Sequence, residues 1–458
     1  MPRVSLHTLG CKLNYAETSM LGKQFADRGF QIVDLGEPAD VCVINTCSVT
    51  GRADRECRQI IRRALRTSDN PLVVVTGCYA QLEPEEVASI HGVDVVLGAK
   101  EKFNLFDHLG SLEKRLTPHI VVSDIETVDN FGIAYSTDAT DRTRAFLKVQ
   151  DGCDYNCSFC TIPLARGSSR SQSIAACVEQ ARTLVSQGYQ EIVLTGVNVG
   201  DYGKNADTNL LSLVRELVHV DGLMRIRISS IEPNLLTQEI VDFVAAESKM
   251  ARHFHIPLQS GSDEILRGMR RRYQRKLFAD LIHSLRQQIP DCGIGVDVIV
   301  GFPGETDEHF EETQLFLTEL PVSYLHVFTY SERPNTPAVG FGKVIEPKLR
   351  FKRNEMLRIL SQKKKHAFYE SMIGKTETVL MEGDVEGGMR FGFTDNYVRV
   401  GLPADETREN SFVLAKVDSV RDEKCFGSVL PKTSVSVRAD SAELSEGSQN
   451  DHAKVEAA

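Results

Sequence analysis

Three things are scarce in this chain of 458 residues. No apolar run approaches the roughly 18 residues needed to cross a bilayer, so a membrane-spanning protein is excluded as an expectation. The start, Met1-Pro2-Arg3-Val4-Ser5-Leu6-His7-Thr8, lacks the charged-then-apolar pattern of an export signal, and a cytoplasmic protein is expected. Positive charge is also short. With 53 Lys and Arg against 63 Asp and Glu, the net charge of -10 argues against coating nucleic acid by charge alone, though local basic patches can still bind it. Neither an internal repeat nor a heptad run is present. What remains, 41% hydrophobic and 25% charged, is the composition of a folded globular protein, and the length suggests about three domains.

The first segment alternates apolar runs (Arg3–Leu9, Val41–Asn45, Leu72–Thr76, Val93–Leu97) with helical patterns around 15–28, 52–67 and 84–90. That alternation predicts a doubly wound parallel-sheet α/β domain over 1–115. Residues 111–140 lose the pattern and read as a connector. A second α/β series, from Ala145–Gln150 through Glu191–Thr195, Arg225–Ser229, His253–Leu258, Gly293–Val300 and Tyr324–Thr329, predicts a (β/α) barrel, complete or partial, within 139–371. A basic helix is expected over 343–366. Short strand-like runs with Gly-rich turns then predict a small all-β barrel over 372–434, and 435–458 reads as a disordered tail.

Eleven cysteines without an export signal point to metal or redox chemistry rather than disulfides. Cys153-Asp-Tyr-Asn-Cys157-Ser-Phe-Cys160 places three of them directly after a predicted strand. Three thiolates can hold three irons of a four-iron cluster and leave the fourth open for another molecule. The alternatives are a zinc site lacking one ligand, or core cysteines. Cys11, Cys47 and Cys78 each follow a strand of the first domain, and parallel strands gather their carboxyl ends on one rim. That placement suits a second three-cysteine cluster; three buried strand-end cysteines are the alternative. Of the others, Cys42 and Cys177 sit in apolar company and read as core, and Cys57, although it lies among arginines that could favour its thiolate, is taken as structural.

The CxxxCxxC motif, with Phe159 before the last cysteine, resembles that of the radical SAM superfamily. The resemblance implies a four-iron cluster whose open iron holds S-adenosylmethionine, cleaved to a 5′-deoxyadenosyl radical. With Cys11, Cys47, Cys78 and the three-domain order, the chain up to about 430 resembles the methylthiotransferases. Thr8-Leu9-Gly10-Cys11-Lys12-Leu13-Asn14 and Lys148-Val149-Gln150-Asp151-Gly152-Cys153 are most similar to the MtaB branch, which acts on N6-threonylcarbamoyladenosine at tRNA position 37. Two [4Fe-4S] clusters and S-adenosylmethionine are thereby implied. So are an electron donor such as a flavodoxin or ferredoxin, a sulfur donor, and a TRAM-like character for the final barrel.

Barrel strand ends are where such folds place their sites. Gly196, Asn198, Ser230, Glu232, Gln259 and Ser260 fall there and, with Phe159, are expected to line the cofactor pocket. No ordinary side-chain base removes a proton from an adenine C–H, so no catalytic His or Glu is assigned. His255 is either a proton donor or a satisfied structural residue, and Arg166 either contacts an anion or lies on the surface. Asn335 stands where the resemblance leads one to expect Gly, which puts that turn in question. For the tRNA anticodon loop, the basic residues over 343–366, the arginines over 52–66, and Arg267, Arg270, Arg271, Arg272 and Arg275 are candidate phosphate contacts. Against this, residues 373–430 carry seven Lys or Arg and eleven Asp or Glu. An acidic module better suits a basic protein substrate, as in the RimO-like branch that methylthiolates a ribosomal-protein aspartate. A noncatalytic iron–sulfur RNA-binding protein is the remaining reading.

Overall fold

The computed structural model describes residues 1–48, 50–110, 112–128, 131–136 and 143–431, with the side chain of Arg52 also left out. The tail expected from 435 lies outside the described residues.

The first domain is a six-stranded parallel sheet of β1 (Arg3–Thr8), β2 (Gln31–Val33), β3 (Val41–Thr46), β4 (Leu72–Gly77), β5 (Val95–Leu97) and β6 (His119–Val121), in the order β2-β1-β3-β4-β5-β6. Every residue of β3 and β4 is buried, as expected of central strands covered by helices on both faces. The helix Gly51–Thr67 turns Cys57, Ile61 and Ala64 into the core, and Thr50 caps its start through the Ala53 amide. The connector expectation needs correcting. His119–Val121 adds an edge strand beside β5, and Tyr135 bridges to Leu147.

Strands β7 (Arg144–Lys148), β8 (Gln150–Asp151) and β9 (Arg170–Ser171) open the second domain, β8 and β9 pairing with each other around the CxxxCxxC loop. β7 continues through β10 (Glu191–Thr195), β11 (Arg225–Ile228), β12 (His253–Gln259), β13 (Gly293–Val300) and β14 (Tyr324–Thr329) in parallel, sequential order. Between β11 and β12 only two isolated bridges, Ile226 to Met250 and Ser230 to His255, carry the pairing across. Among the described residues no pairing closes β14 back to β7, so the barrel is partial.

The helix Pro347–Glu370 packs along β14 and leads into a closed barrel of β15 (Thr376–Glu386), β16 (Met389–Thr394), β17 (Arg399–Pro403), β18 (Phe412–Arg421) and β19 (Lys424–Val429). Closure removes the exposed edges that a sheet this small would otherwise present.

Candidate active site at the domain junction

The carboxyl ends of β1, β3 and β4 bring Cys11, Cys47 and Cys78 to one rim. Gly10, at φ +96°, lies so close to Cys47 that an added Cβ would stand 2.8 Å from its Sγ. Gly77, also at φ +96°, faces Thr46, whose carbonyl oxygen would be 2.4 Å from a Cβ. Only glycine permits both the left-handed backbone and this approach. Buried amides tie the rim together: Asn14 Nδ2 donates to the carbonyls of Leu9 (2.8 Å) and Thr46 (3.0 Å), and Asn45 Nδ2 to that of Asn14 (3.0 Å). Cys11 caps the helix Lys12–Ala26, and Cys78 opens the short helix Cys78–Leu82.

The second cysteine set sits in a loop pinned from both sides. Cys153 N donates to Gly167 O (3.0 Å), and a Cβ on Gly152 would overlap Ser168 O. Ser158 Oγ donates to Gly268 O (2.8 Å). Each sulfur also accepts a bond from nitrogen: Cys153 from the Tyr155 amide (3.4 Å), Cys160 from the Ile162 amide (3.5 Å) and Cys157 from Arg271 Nη1 (3.1 Å). Burial pushes the Cys153 thiol up to about 11 and the Cys160 thiol up to about 12. Donors of this kind stabilise sulfur once it is a thiolate ligand. Among the described residues no three His, Cys, Asp or Glu converge tightly enough to grip a single metal ion. A multi-iron cluster places each thiolate on a different iron and spreads them farther apart.

Beside Cys160 lies a cavity of about 220 Å³ whose lining includes Phe159, Thr161, Gln259, Asp297, Tyr330 and, from the first domain, Thr50. Gln259 is a non-glycine residue at φ +68°, and its Oε1 is buried without a partner; the Tyr330 hydroxyl is likewise unpartnered. Strain and orphaned polar atoms together mark a place built for a polar ligand. At the end of β10, Gly196 and Asn198 pack on Gln150, whose Oε1 accepts from the Asn198 amide (2.8 Å), and Asn198 Oδ1 is buried without a partner. Ser230 Oγ meets His255 Nδ1 (3.0 Å), and His255 Nε2 meets Asp297 (2.8 Å), which makes His255 a satisfied residue on the barrel wall. Ser260 spends its hydroxyl on Thr313 and the Ser262 amide, and Glu232 forms an ion pair with Arg271.

The two cysteine sets share one junction. The helix opening with Cys78 packs on the helix Ile162–Arg166 that follows Cys160. Arg166, taken from sequence as an anion contact or a surface residue, is buried there. It pairs with Glu17 and Asp151 (both 3.0 Å).

Comparison with known proteins agrees with this architecture. The radical SAM superfamily model matches residues 147–317, and the model described as uncharacterized protein family UPF0004 matches residues 3–98. The threonylcarbamoyladenosine tRNA methylthiotransferase MtaB of Bacillus subtilis is 40% identical over 424 residues, 91% of this chain and 94% of that protein. The chain belongs to the radical SAM methylthiotransferases. The Thermotoga maritima protein of the same name is 35% identical, covering 92% of this chain and 96% of its own length. A tRNA-2-methylthio-N(6)-dimethylallyladenosine synthase of Clostridium botulinum is 31% identical, covering 82% and 85%. Among solved structures, the radical S-adenosylmethionine methyltransferase TsrM of Kitasatospora setae shares the fold at TM-score 0.55 and 19% identity, covering 74% of this chain and 77% of that one.

In this methylthiotransferase several charged residues have roles that sequence alone left in the wrong place. Arg271, grouped with candidate phosphate contacts, points inward to Cys157 and Glu232. Arg350 and Arg353 of the basic helix are buried, holding Tyr330 O (2.9 Å) and Glu305 (2.5 Å), while Lys348, Lys352, Arg358 and Lys363 stay exposed. Cys57 is fully buried and its thiol is pushed up to about 12, first by burial and then by Asp54, so the nearby arginines do not activate it. Asn335 adopts φ +64°, the left-handed turn for which Gly was expected and which Asn tolerates.

Proposed function

We propose that this methylthiotransferase converts N6-threonylcarbamoyladenosine at tRNA position 37 to its 2-methylthio derivative. The observation that carries the reading is the packing of the Cys78 helix against the helix after Cys160, which puts two sets of three cysteines at one junction. The substrate follows the named function of relatives that are similar to the chain over about nine-tenths of its length.

In this reading Cys153, Cys157 and Cys160 hold one [4Fe-4S] cluster, and Cys11, Cys47 and Cys78 hold another. When bound, the clusters and S-adenosylmethionine supply an electron, a carbon radical able to take hydrogen from adenine C2, and the sulfur to be transferred. The chain's own residues bind and shield. Gln259 Oε1 and Asn198 Oδ1, buried without partners, are acceptors for the amino and ribose groups of S-adenosylmethionine. Gly196 leaves room for the backbone to approach it, Phe159 walls off the cluster side, and Ser230 keeps His255 oriented. Arg271 holds Cys157 and keeps Glu232 paired. An anticodon-loop adenosine is accessible enough to be splayed into such a junction at modest unstacking cost. A small electron-transfer protein such as a flavodoxin or ferredoxin supplies electrons, a separate donor replenishes sulfur, and the reaction takes place in the cytoplasm.

The acidic count in the final module prompted the ribosomal-protein reading. That reading loses its support because Glu377, Asp395 and Glu382 are spent on Arg252 and Arg144 of the partial barrel, and Glu423 on Lys365. The test is anaerobic reconstitution with S-adenosylmethionine, a reductant and tRNA bearing threonylcarbamoyladenosine, followed by mass analysis of the digested RNA. A methylthio mass gain abolished by Cys153→Ala and by Cys47→Ala is expected. Formation of 5′-deoxyadenosine with unchanged tRNA would sink the substrate assignment and leave the radical chemistry standing.

A further inference from the structure

Lys12 is the one residue of the Cys11 loop whose function the junction leaves open. It begins the helix Lys12–Ala26 directly after Cys11, is exposed to water, and has no ion pair or hydrogen bond among the described residues. Its surroundings come from all three domains. Arg144 of β7, Arg227 of β11 and Tyr397 of the final barrel stand within electrostatic range of its ammonium, and so do His253 and His326 of the partial barrel. The carboxylates on this wall are already taken: Glu191 by Arg225 (3.1 Å) and Arg227 (2.9 Å), and Glu382 by Arg144 (3.0 Å). Burial, reinforced by neighbouring positive charge, keeps His253 and His326 neutral. Lys12 therefore has no carboxylate paired with it among the described residues: Glu191 and Glu382 are held by arginines, and Asp297, farther along the wall, is bonded to His255.

The recess connects with the site. His326 touches His255 edge to face (5.1 Å between rings), His255 bonds Asp297 (2.8 Å), and Asp297 lines the cavity beside Cys160. On the other side His326 and Tyr397 line a cleft of about 530 Å³. Tyr397 is held at φ +69°, stacked on Phe393 at 4.8 Å, so that its ring is fixed where Lys12 and Arg144 act on the phenol. A non-glycine residue in that conformation is strained, and the surrounding contacts must offset the strain. One polar wall thus runs from Cys160 to Lys12, with Cys11 adjacent.

Resting on the substrate assignment above, we propose that Lys12, with the Tyr397 hydroxyl as a second donor, binds the carboxylate of the threonylcarbamoyl group. The base is thereby placed between the two cysteine sets. The chemistry fits the ligand. C6, which carries N6, and C2 of adenine flank the same ring nitrogen, so an acid carried on N6 can extend past the reacting edge, and a mobile ammonium with no carboxylate of its own is the complement it needs. An RNA phosphate is the competing anion, and the two are separable because esterifying the threonyl carboxylate leaves every phosphate in place.

The experiment uses the full-length, anaerobically reconstituted protein and anticodon stem-loops carrying either N6-threonylcarbamoyladenosine or its methyl ester, with kcat/KM for methylthio product measured on each. The wild-type protein is expected to prefer the acid by about tenfold or more. Lys12→Gln should collapse that preference to about twofold or less, and Lys12→Arg should restore most of it. Because the readout is a ratio, any general damage to the neighbouring cysteine site lowers both substrates alike and cancels. An acid preference that survives in Lys12→Gln overturns the proposal, as does equal activity of the wild type on acid and ester. If Lys12→Gln yields no product at all, Tyr397→Phe carries the same measurement, and an unchanged ratio there overturns the proposal. A wild-type protein that makes 5′-deoxyadenosine but modifies neither stem-loop removes the substrate assignment, and this inference with it.

Discussion

Arg271 serves two charges with one guanidinium, donating to Cys157 Sγ and pairing with Glu232 while its own side chain is almost wholly buried. Removing it strips a donor from the Cys157 sulfur and leaves Glu232 without its cation, a loss of about 3 kcal/mol for a buried pair broken on one side. Arg271→Met is therefore expected to lower the urea midpoint and to slow 5′-deoxyadenosine formation about tenfold or more. Arg271→Lys, which keeps the charge but not the fork, should recover stability better than rate. Equal loss of rate in both variants with unchanged stability would count against the double role. That the two sets of three cysteines gather at strand ends was legible, because their spacing and strand-end positions carry that information. Arg271, Arg166 and Arg353 were not. Sequence records that they are charged, whereas the direction each points is set by carboxylates and sulfurs that the fold brings from 15 to more than 100 positions away.

At the scale of elements, the long buried strands were legible as continuous apolar runs, β3 and β4 above all. Those missed, Gln31–Val33 and His119–Val121, have three residues each, too few for a period to register, and owe their conformation to the neighbour they pair with. The short helix Cys78–Leu82 was missed for the same reason, although it forms the contact between the cysteine sets. Docking between elements was equally invisible. Arg333, in the loop after β14, donates to Asp54 (2.7 Å) and Ser48 (2.6 Å) of the first domain, and Ser331 Oγ accepts from the Gly51 amide (3.1 Å). All three contacts flank the cavity that Thr50 and Cys160 share. Arg333→Ala leaves Asp54 unpaired and should cost about 3 kcal/mol. Limited proteolysis is expected to release the first domain sooner, and tRNA methylthiolation to fall more than 5′-deoxyadenosine formation. Unchanged proteolysis would show that the domains are held chiefly elsewhere.

Across the whole molecule, the acidic balance of the final barrel reads as a docking face. Arg252 pairs with both Asp395 and Glu377 and lies 4.0 Å from Asp291, which Lys375 holds at 2.5 Å, so two carboxylates share one guanidinium. Burial, with Asp395 and Asp291 adding to it and Arg252 opposing, pushes Glu377 up to about 7. Its folded value lies above the unfolded one, so the contribution is full below about pH 4.5 and is lost as pH rises through 7. Stability measured by urea between pH 5 and 8 should fall with rising pH, and Glu377→Gln should flatten that slope; an identical slope in the variant would exclude Glu377 as its source.

The same face decides what deleting the final barrel would do. Arg225 and Arg227, inside a strand of the partial barrel, donate to the carbonyls of Thr378, Phe393, Thr394 and Asp395, and Arg227 is among the largest fully buried side chains. The partners of these two arginines lie some 150 positions downstream, a distance no sequence pattern spans. A module that served only as a handle for RNA could be removed with its host intact. Here removal after residue 371 would uncover two arginines that share a single carboxylate, Glu191, and would strip Arg252 of Asp395 and Glu377. Several kcal/mol are at stake, and a truncated chain is expected to melt about 10 °C lower or to aggregate on expression. A truncated protein with unchanged melting temperature that had lost only tRNA affinity would show instead that these contacts are dispensable and that the barrel acts as a separable binding module.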